Sequence, residues 1–406
     1  MAIWDELTGQ DDAIAVFKAA AASPVGSQTT LVADTPLRPD DAAPAPSEAS
    51  GSMTHSWLIT GPPGSGRSNL AFAFATALLS DGTADGDTAT RKQVDARTHP
   101  DLNVLGTTGV IIKRGDVREM VKLSHYSPSV SRYRVIVVED ADRMMEDTSN
   151  FLLKELEEPP ERTVWILCAP SEADLLPTIR SRVRTVRLRV PSVDDVAELL
   201  IARDGVAPEL AERAARHAQS HIGMARRLAT NEDARERRQE TLRLALGIRG
   251  VSDAVMAAAR MLEIAGADAK ALTEETDAEE REHALRSLGV APGGTPPPGL
   301  RAQLRQLEED QKRRATRSLR DGIDRILVDL LSLYRDVMMM QLASQSALVN
   351  RELLDELTAL SKNTGPADTL AVMDAIATAR TRIGANVAPA LALEAVLVCV
   401  AGREHQ

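Results

Sequence analysis

Eight consecutive residues, Gly61-Pro62-Pro63-Gly64-Ser65-Gly66-Arg67-Ser68, carry the spacing of a phosphate-binding loop. Glycines let the backbone turn tightly, so that its N–H groups can converge on one anion. Ser68, closing the loop, is placed to hold a magnesium ion. One position departs from the pattern: Arg67 stands where a lysine would reach the terminal phosphates. Arginine keeps the charge but replaces a point donor with a bulkier planar fork. A second pair of chemistry-bearing residues is Glu139-Asp140, which closes the β-branched run Arg134-Val135-Ile136-Val137-Val138. Acids delivered at the end of a buried strand, beside a phosphate loop, would face magnesium or its water shell. A third is Arg182, in Thr178-Ile179-Arg180-Ser181-Arg182-Val183. Its guanidinium stays charged at any working pH and can bridge two phosphate oxygens.

Each of these has a plainer reading. The loop could be an ordinary glycine-rich turn, or a vestige that no longer binds nucleotide. Glu139 and Asp140 could be solvated strand-end acids, and Arg182 a surface arginine paired with an acid. Arg180, Arg184, Arg187 and Arg189 read as solvated or salt-bridged rather than DNA-contacting. Lys312-Arg313-Arg314, with Arg317 and Arg320, reads as an exposed helix face, and Met338-Met339-Met340 as core filler.

The elements that would position these residues alternate. Trp57-Leu58-Ile59-Thr60 predicts a strand before the loop, and Asn69 to Ala75 a helix after it. Further strands are expected at 98–104, 134–140, 163–169 and 184–190. Helices are expected at 11–22, 115–124 and 147–158, with a turn or short helix over 177–182. Strands alternating with helices imply a parallel sheet covered on both faces. Such sheets bind ligands at the C-terminal edge of their strands. Residues 23–52, rich in Pro, Ala, Ser and Asp, predict a loop, as does the polar stretch 80–98. After Pro191 the pattern turns wholly helical. Ser192 is a good N-cap, and helices are expected at 192–203, 207–219 and 221–230. Longer ones follow across 301–340, 351–361, 367–383 and 388–401. An acidic and then Gly/Pro-rich break is expected at 273–299.

Composition bounds the answer. The 406 residues suffice for two or three domains. Aromatics make up only 2% of them, so the core must rest on Leu, Val, Ile and Ala. A formal net charge of −11 argues against a whole-surface nucleic-acid binder, while leaving room for local basic patches. Cys168 and Cys399 sit far apart in apolar runs and read as two buried thiols in a reducing compartment. The opening residues do not resemble a signal peptide, and no apolar run reaches the length of a membrane span. The expectation is a cytoplasmic protein without membrane contact.

Several strings together resemble one family. Asn150-Phe151-Leu152-Leu153-Lys154-Glu155-Leu156-Glu157-Glu158-Pro159-Pro160 is similar to the signature helix of the AAA+ subunits of the bacterial DNA polymerase III clamp loader. Thr178 to Val183 resembles their Ser-Arg-Cys motif, with Val183 in place of cysteine. Trp4 to Gln10 resembles their N-terminal box, and His55-Ser56-Trp57-Leu58 and His99-Pro100-Asp101 fall at family-like places.

The resemblance covers residues 1 to about 230 by motif and the remainder by architecture. It implies an α/β P-loop AAA+ domain over 1–190, a small helical lid over 191–240, and an all-α collar over 241–406 that drives oligomerisation. Within the family, the departures resemble delta-prime subunits rather than the motor. They are Arg67, the reversed acidic order, Cys168-Ala169-Pro170 without a sensing threonine, Gly223 where the motor has a second sensing arginine, and no cysteines over 80–98 for a zinc module.

The resemblance then implies a stator-like subunit that helps load a sliding clamp onto primed DNA. Its partners would be the motor (tau/gamma) and delta subunits in a hetero-pentamer, the clamp, and DNA through the complex. Gly61, Pro62, Pro63, Gly64, Ser65, Gly66, Arg67, Ser68, Glu139 and Asp140 would bind ATP or ADP, with magnesium at Ser68 and Glu139 and no structural zinc. Arg182 would act in trans as an arginine finger, and the chain's own ATPase would be weak or absent. The alternative is an autonomous ATPase motor of the same fold. A phosphoryl kinase would leave the signature helix and the helical C-terminal part unexplained.

Overall fold

The computed structural model describes residues 3, 4, 7–23, 53–81, 86–106, 111–287, 301–385 and 387–402. Of the expected loop over 23–52 all but residue 23, and of the expected break over 273–299 the glycine/proline-rich part from 288, lie outside them. The chain divides into two compact units, residues 1–226 and 227–406.

The first unit opens with α1 (Asp11–Ala22), followed by β1 (Ser56–Thr60), the phosphate loop and α2 (Arg67–Leu79). Then come α3 (Thr88–Asp95), β2 (Leu102–Leu105), α4 (Arg114–Ser124), β3 (Arg134–Val138), α5 (Glu146–Glu157), β4 (Thr163–Ala169), α6 (Pro177–Arg180) and β5 (Arg184–Arg187). The five strands form one sheet in the order β2-β3-β4-β1-β5, and every pair is parallel. Strands β1, β3 and β4 are buried along their whole length, which is why they read as continuous apolar runs. Alternate residues feed two cores. Trp57, Ile59, Val135, Val137, Val164, Ile166 and Cys168 pack in one, with α1 and α2. Leu58, Ile136, Val138, Trp165 and Leu167 pack in the other, with Val117 of α4 and Leu152 of α5. The scarce aromatics are concentrated: Phe17, Trp57 and Phe74 stack with centroids 4.4 to 5.4 Å apart, in tilted and edge-on geometry. The expected parallel α/β sheet with helices on both faces is therefore what forms.

Three boundaries differ from expectation. The stretch 80–98 is not all loop. Asp87 caps α3 by accepting the Thr90 N–H at 2.8 Å, and the helix buries Val94. The second strand starts at Leu102 rather than 98, because His99-Pro100-Asp101 makes a turn: Leu102 N–H donates to the His99 carbonyl at 3.1 Å. The last strand ends at Arg187 rather than 190. Leu188 still donates to the Thr60 carbonyl at 2.7 Å, but Arg189 bonds instead to the Gln10 side chain.

Helices α7 (Val193–Asp204), α8 (Pro208–His217) and the start of α9 (Ile222–Thr230) complete this unit. Ser192 and Asp195 form a reciprocal capping box at the head of α7, and Gly205 ends it in a left-handed conformation.

The second unit is all helical: α10 (Glu232–Leu246), α11 (Val251–Ser287), α12 (Arg301–Gln341), α13 (Leu354–Asn363), α14 (Pro366–Gly384) and α15 (Pro389–Ala401). The acidic segment 273–287 continues α11 as helix rather than breaking it. Arg314 of α12 holds it through Asp277 at 2.7 Å and through Glu280. The apolar stripe Ile323, Ile326, Leu327 and Leu330 is buried in this unit's own core. It is therefore not available to partner helices. Of the three methionines read as core filler, Met338 is buried, Met340 packs partly buried against this core, and Met339 is only partly buried. Cys168 is buried, whereas Cys399 is partly exposed, so only one of the two thiols is a core thiol.

Candidate functional site: a phosphate loop and an arginine at opposite edges of the sheet

Strand β1 delivers the loop and α2 receives it. Gly61 N–H donates to the Pro170 carbonyl at 3.2 Å, tying the loop to the end of β4. Ser65 N–H donates to the Pro62 carbonyl at 3.1 Å, closing a turn. Gly64 and Gly66 have φ of 81° and 91°, which a Cβ would disfavour, so glycine at these two positions follows from the turn itself. Gly66 is the N-cap of α2 and offers no side chain, leaving the first N–H groups of the helix to other partners. Helix α2 is buried from Leu70 to Leu79, so its N-terminus is rigidly held. The Ser65 hydroxyl is buried and makes no hydrogen bond in the structure. Backbone donors, a helix N-terminus and an unsatisfied buried hydroxyl together fit an anionic phosphate.

Arg67 does not extend away from the loop. Its guanidinium turns back and donates to the Gly61 carbonyl. The position of the missing lysine is thus filled by a cation already bonded within the loop. Glu139 and Asp140 follow β3, and Arg67, Glu139 and Asp140 are all close enough to the Cys168 thiol to act on its charge. Burial pushes that thiol up to about 12, Arg67 opposes the shift, and the two carboxylates add to it. Asp142, one turn on, is raised by burial and by the Asp140 charge, against the pull of Arg143 and Arg67. The structure therefore gathers the loop and both predicted acids at the C-terminal edge of the sheet. Glu139 also faces Arg97, at 3.8 Å. Among the described residues no cluster of three or more His, Cys, Asp or Glu side chains could hold a metal by itself.

Arg182 stands elsewhere. It precedes β5, where Arg184 pairs with Trp57 near the start of β1 and Arg187 pairs with Thr60 at its end. The phosphate loop follows Thr60. Arg182 thus lies at the opposite edge of the sheet, roughly 15 Å away along the strand direction at about 3.3 Å per residue. Its guanidinium donates to Glu157 at 2.6 Å, to the Thr178 carbonyl at 2.8 Å and to the Ser181 hydroxyl at 3.0 Å. Its side chain is 26% exposed and that of Glu157 48%, so the pair sits where another molecule could reach it. Three other arginines of the segment are engaged: Arg187 with Glu172 at 3.1 Å, Arg189 with Asp12 at 2.6 Å, and Arg184 over the Trp57 ring at 4.9 Å. Arg180 is exposed.

Two family-like strings have structural work. Gln10 is buried, and its side-chain amide donates to the Arg189 carbonyl and accepts the Arg189 N–H, so the N-terminal box ties down the chain after β5. Asp101 is fully buried and accepts three successive N–H groups, from Ser129, Val130 and Ser131 at 2.6, 2.8 and 2.9 Å. Sequence reasoning missed two other residues. His221 packs on Gly64, and Arg226 of α9 pairs with Asp204 at 3.0 Å. An arginine therefore does stand on the helix whose Gly223 had suggested a lost one. Its spacing from Gly223, three residues, was the available signal.

A parallel sheet ordered β2-β3-β4-β1-β5, with a phosphate loop after its first strand and acids after β3, defines a P-loop domain of the AAA+ class. Residues 46–192 match the family model described as "DNA polymerase III, delta subunit". The delta' subunit of DNA polymerase III from Bacillus subtilis is 27% identical over 195 residues, 47% of this chain and 59% of the relative. The Pseudomonas aeruginosa delta' subunit is 34% identical over 134 residues, 32% of this chain and 41% of the relative. The gamma/tau subunit of Mycobacterium tuberculosis is 33% identical over 148 residues, 34% of this chain and 25% of the relative. Over the matched region the chain is therefore similar to subunits of DNA polymerase III. It spans no more than about three fifths of the length of these relatives.

Proposed function

We propose that the chain is the delta-prime-type subunit of a DNA polymerase III clamp loader. In this reading it is a stator-like member of a hetero-pentamer with motor (tau/gamma) and delta subunits, and it helps load a sliding clamp onto primed DNA. Residues 1–190 are the AAA+ module, 191–240 the lid and 241–406 the collar that drives assembly. The observation that carries the reading is the asymmetry between the two edges of the sheet. At its own phosphate loop the cation is Arg67, bonded back to Gly61. At the opposite edge Arg182 is partly exposed and paired with a half-exposed carboxylate, Glu157.

If ATP or ADP binds, the backbone of Gly61 to Ser68 holds its phosphates, and Ser68 and Glu139 share its magnesium. Nucleotide would supply phosphates there, and Arg67 would have to leave the Gly61 carbonyl to meet them. Arg182 serves a neighbouring subunit's nucleotide instead, exchanging Glu157 for phosphate oxygens. An exposed ion pair is worth only about 0–1 kcal/mol, so giving up Glu157 itself costs little. A cytoplasmic location fits, and no helix among the described residues is long and apolar enough to cross a membrane.

The test is ATP turnover by the purified chain, with and without primed DNA, beside its copurification with motor and delta subunits. Little or no turnover together with stable incorporation supports the reading. The second reading, an autonomous motor, is favoured by the gamma/tau likeness and by Arg226 on α9. DNA-stimulated turnover by the chain alone, at rates ordinary for a motor, would establish it.

A further inference from the structure

The turn between α8 and α9 is built at an energetic cost. Gln219 and Ser220 are consecutive non-glycine residues with φ of 49° and 63°. Side-chain-bearing residues avoid that left-handed region unless their surroundings over-determine it. Three hydrogen bonds do so here: Gln219 N–H to Arg216, Ser220 N–H to Ala215 and His221 N–H to Ala218, each at 3.0 Å. The outcome is the placement of His221. Its ring lies so close over Gly64 that a Cβ added there would come within 2.1 Å of Cγ and 2.4 Å of Cδ2 and Nδ1. Ring rotation is blocked as well, because Nδ1 accepts the Met224 N–H at 3.2 Å and caps α9. The next residue completes the contact: Ile222 N–H donates to the Gly64 carbonyl at 3.2 Å. One glycine of the phosphate loop is therefore gripped twice, by a ring and by a backbone N–H, both from the head of α9.

We propose that the His221–Gly64 contact is a clasp by which the chain's own groups hold the head of α9 on the phosphate loop. The segment α8 to the head of α9 then does not follow the nucleotide state of the loop. The grip uses the chain's own groups where a mobile lid would be drawn down by nucleotide. The inference goes beyond the proposed function, since it concerns the chain by itself and stands even if the chain joins no clamp loader.

The test is hydrogen exchange on the full chain, followed by mass spectrometry, with and without saturating magnesium-ATP. Exchange reports local opening, so loss of the clasp should appear in peptides covering 208–226 and not in β3 or β4. His221→Ala is expected to speed exchange there by about threefold or more. Gly64→Ala attacks the contact from the loop side and is expected to do the same. The double variant Gly64→Ala/His221→Ala should exchange more slowly than the product of the two single effects, because both remove one contact. In the unaltered chain, ATP should change exchange at 208–226 by less than about threefold. A smaller effect in both single variants, a double variant equal to the product, or a larger response of the unaltered chain to ATP would each overturn the proposal.

Discussion

Replacing Asp101 with asparagine should be among the most damaging single changes in the sheet unit. Asp101 is fully buried at the turn before β2. Its carboxylate accepts the three N–H groups of Ser129, Val130 and Ser131, and faces Arg134 Nη2 at 3.2 Å. It thus fixes the loop leading into β3, the strand that delivers Glu139 and Asp140. An asparagine keeps one oxygen and turns an NH2 toward groups that also donate. Two of the four bonds would be lost, at about 1.5–3 kcal/mol each for a charged acceptor. Arg134, itself buried, would retain only neutral oxygens: Tyr126 at 2.8 Å, Ser127 at 3.1 Å and Asn103 at 3.2 Å. Breaking a buried pair costs about 3–5 kcal/mol, and both routes lead to that range.

All three tryptophans, Trp4, Trp57 and Trp165, lie in the sheet unit, so fluorescence in a urea titration reads that unit alone. With m near 2–3 kcal/mol/M the midpoint should fall by about 1–2 M at neutral pH. Burial would raise this carboxyl, but the three backbone bonds and Arg134 outweigh it and leave it below its ordinary value. A depressed carboxyl contributes stability that is full above its unfolded pKa, about 4, and is lost as pH falls through the lower folded value. The gap between the unaltered chain and Asp101→Asn should therefore narrow under acid. A midpoint shift below about 0.3 M at neutral pH would refute the reasoning.

Three further outcomes are expected. Arg67→Lys should tighten binding of a fluorescent ATP analogue about tenfold, the equivalent of one intramolecular hydrogen bond of about 1.4 kcal/mol that nucleotide no longer has to break; equal or weaker binding would mean that the Gly61 contact does not oppose nucleotide. Asp268→Asn should destabilise the helical unit by about 2–4 kcal/mol, measured by hydrogen exchange in α11 and α12. That carboxylate faces Arg227 at 2.9 Å and also Arg237, and its loss would leave those cations together with the half-buried Arg325 nearby. Elemental analysis should find no stoichiometric zinc, because residues 80–98 contain neither cysteine nor histidine.

Much of the sheet unit was legible because its signals are local. β-branched runs such as Val135 to Val138 have one good conformation when both faces are buried. The glycine spacing of 61–66 likewise has one good use between a strand and a helix. What stayed hidden depends on contacts between distant residues. The helix over Thr88 to Asp95 rests on a single buried Val94 and an aspartate cap, which a polar stretch does not advertise. The stripe on α12 was visible, but whether it met its own chain or another was not, since periodicity reports a buried face and not what buries it. The site divided in the same way. Arg67 was plain as a departure, whereas its turn toward Gly61 is a matter of rotamer. His221 had no signal, because the Gln219-Ser220 turn that presents it lacks the glycine that normally marks such a conformation.

The most direct test of the central claim is ATP turnover and clamp loading by complexes reconstituted with Arg182→Ala and Arg182→Lys. Arginine fingers supplied across an interface are worth about 10³–10⁵ in rate at one site, and a ring with several sites would show less. The account predicts a fully assembled complex in which Arg182→Ala lowers clamp-stimulated turnover and loading. Arg182→Lys should rescue poorly, for want of the two-donor fork. Unchanged turnover and loading by an assembled Arg182→Ala complex would contradict it and leave Arg182 as the surface partner of Glu157.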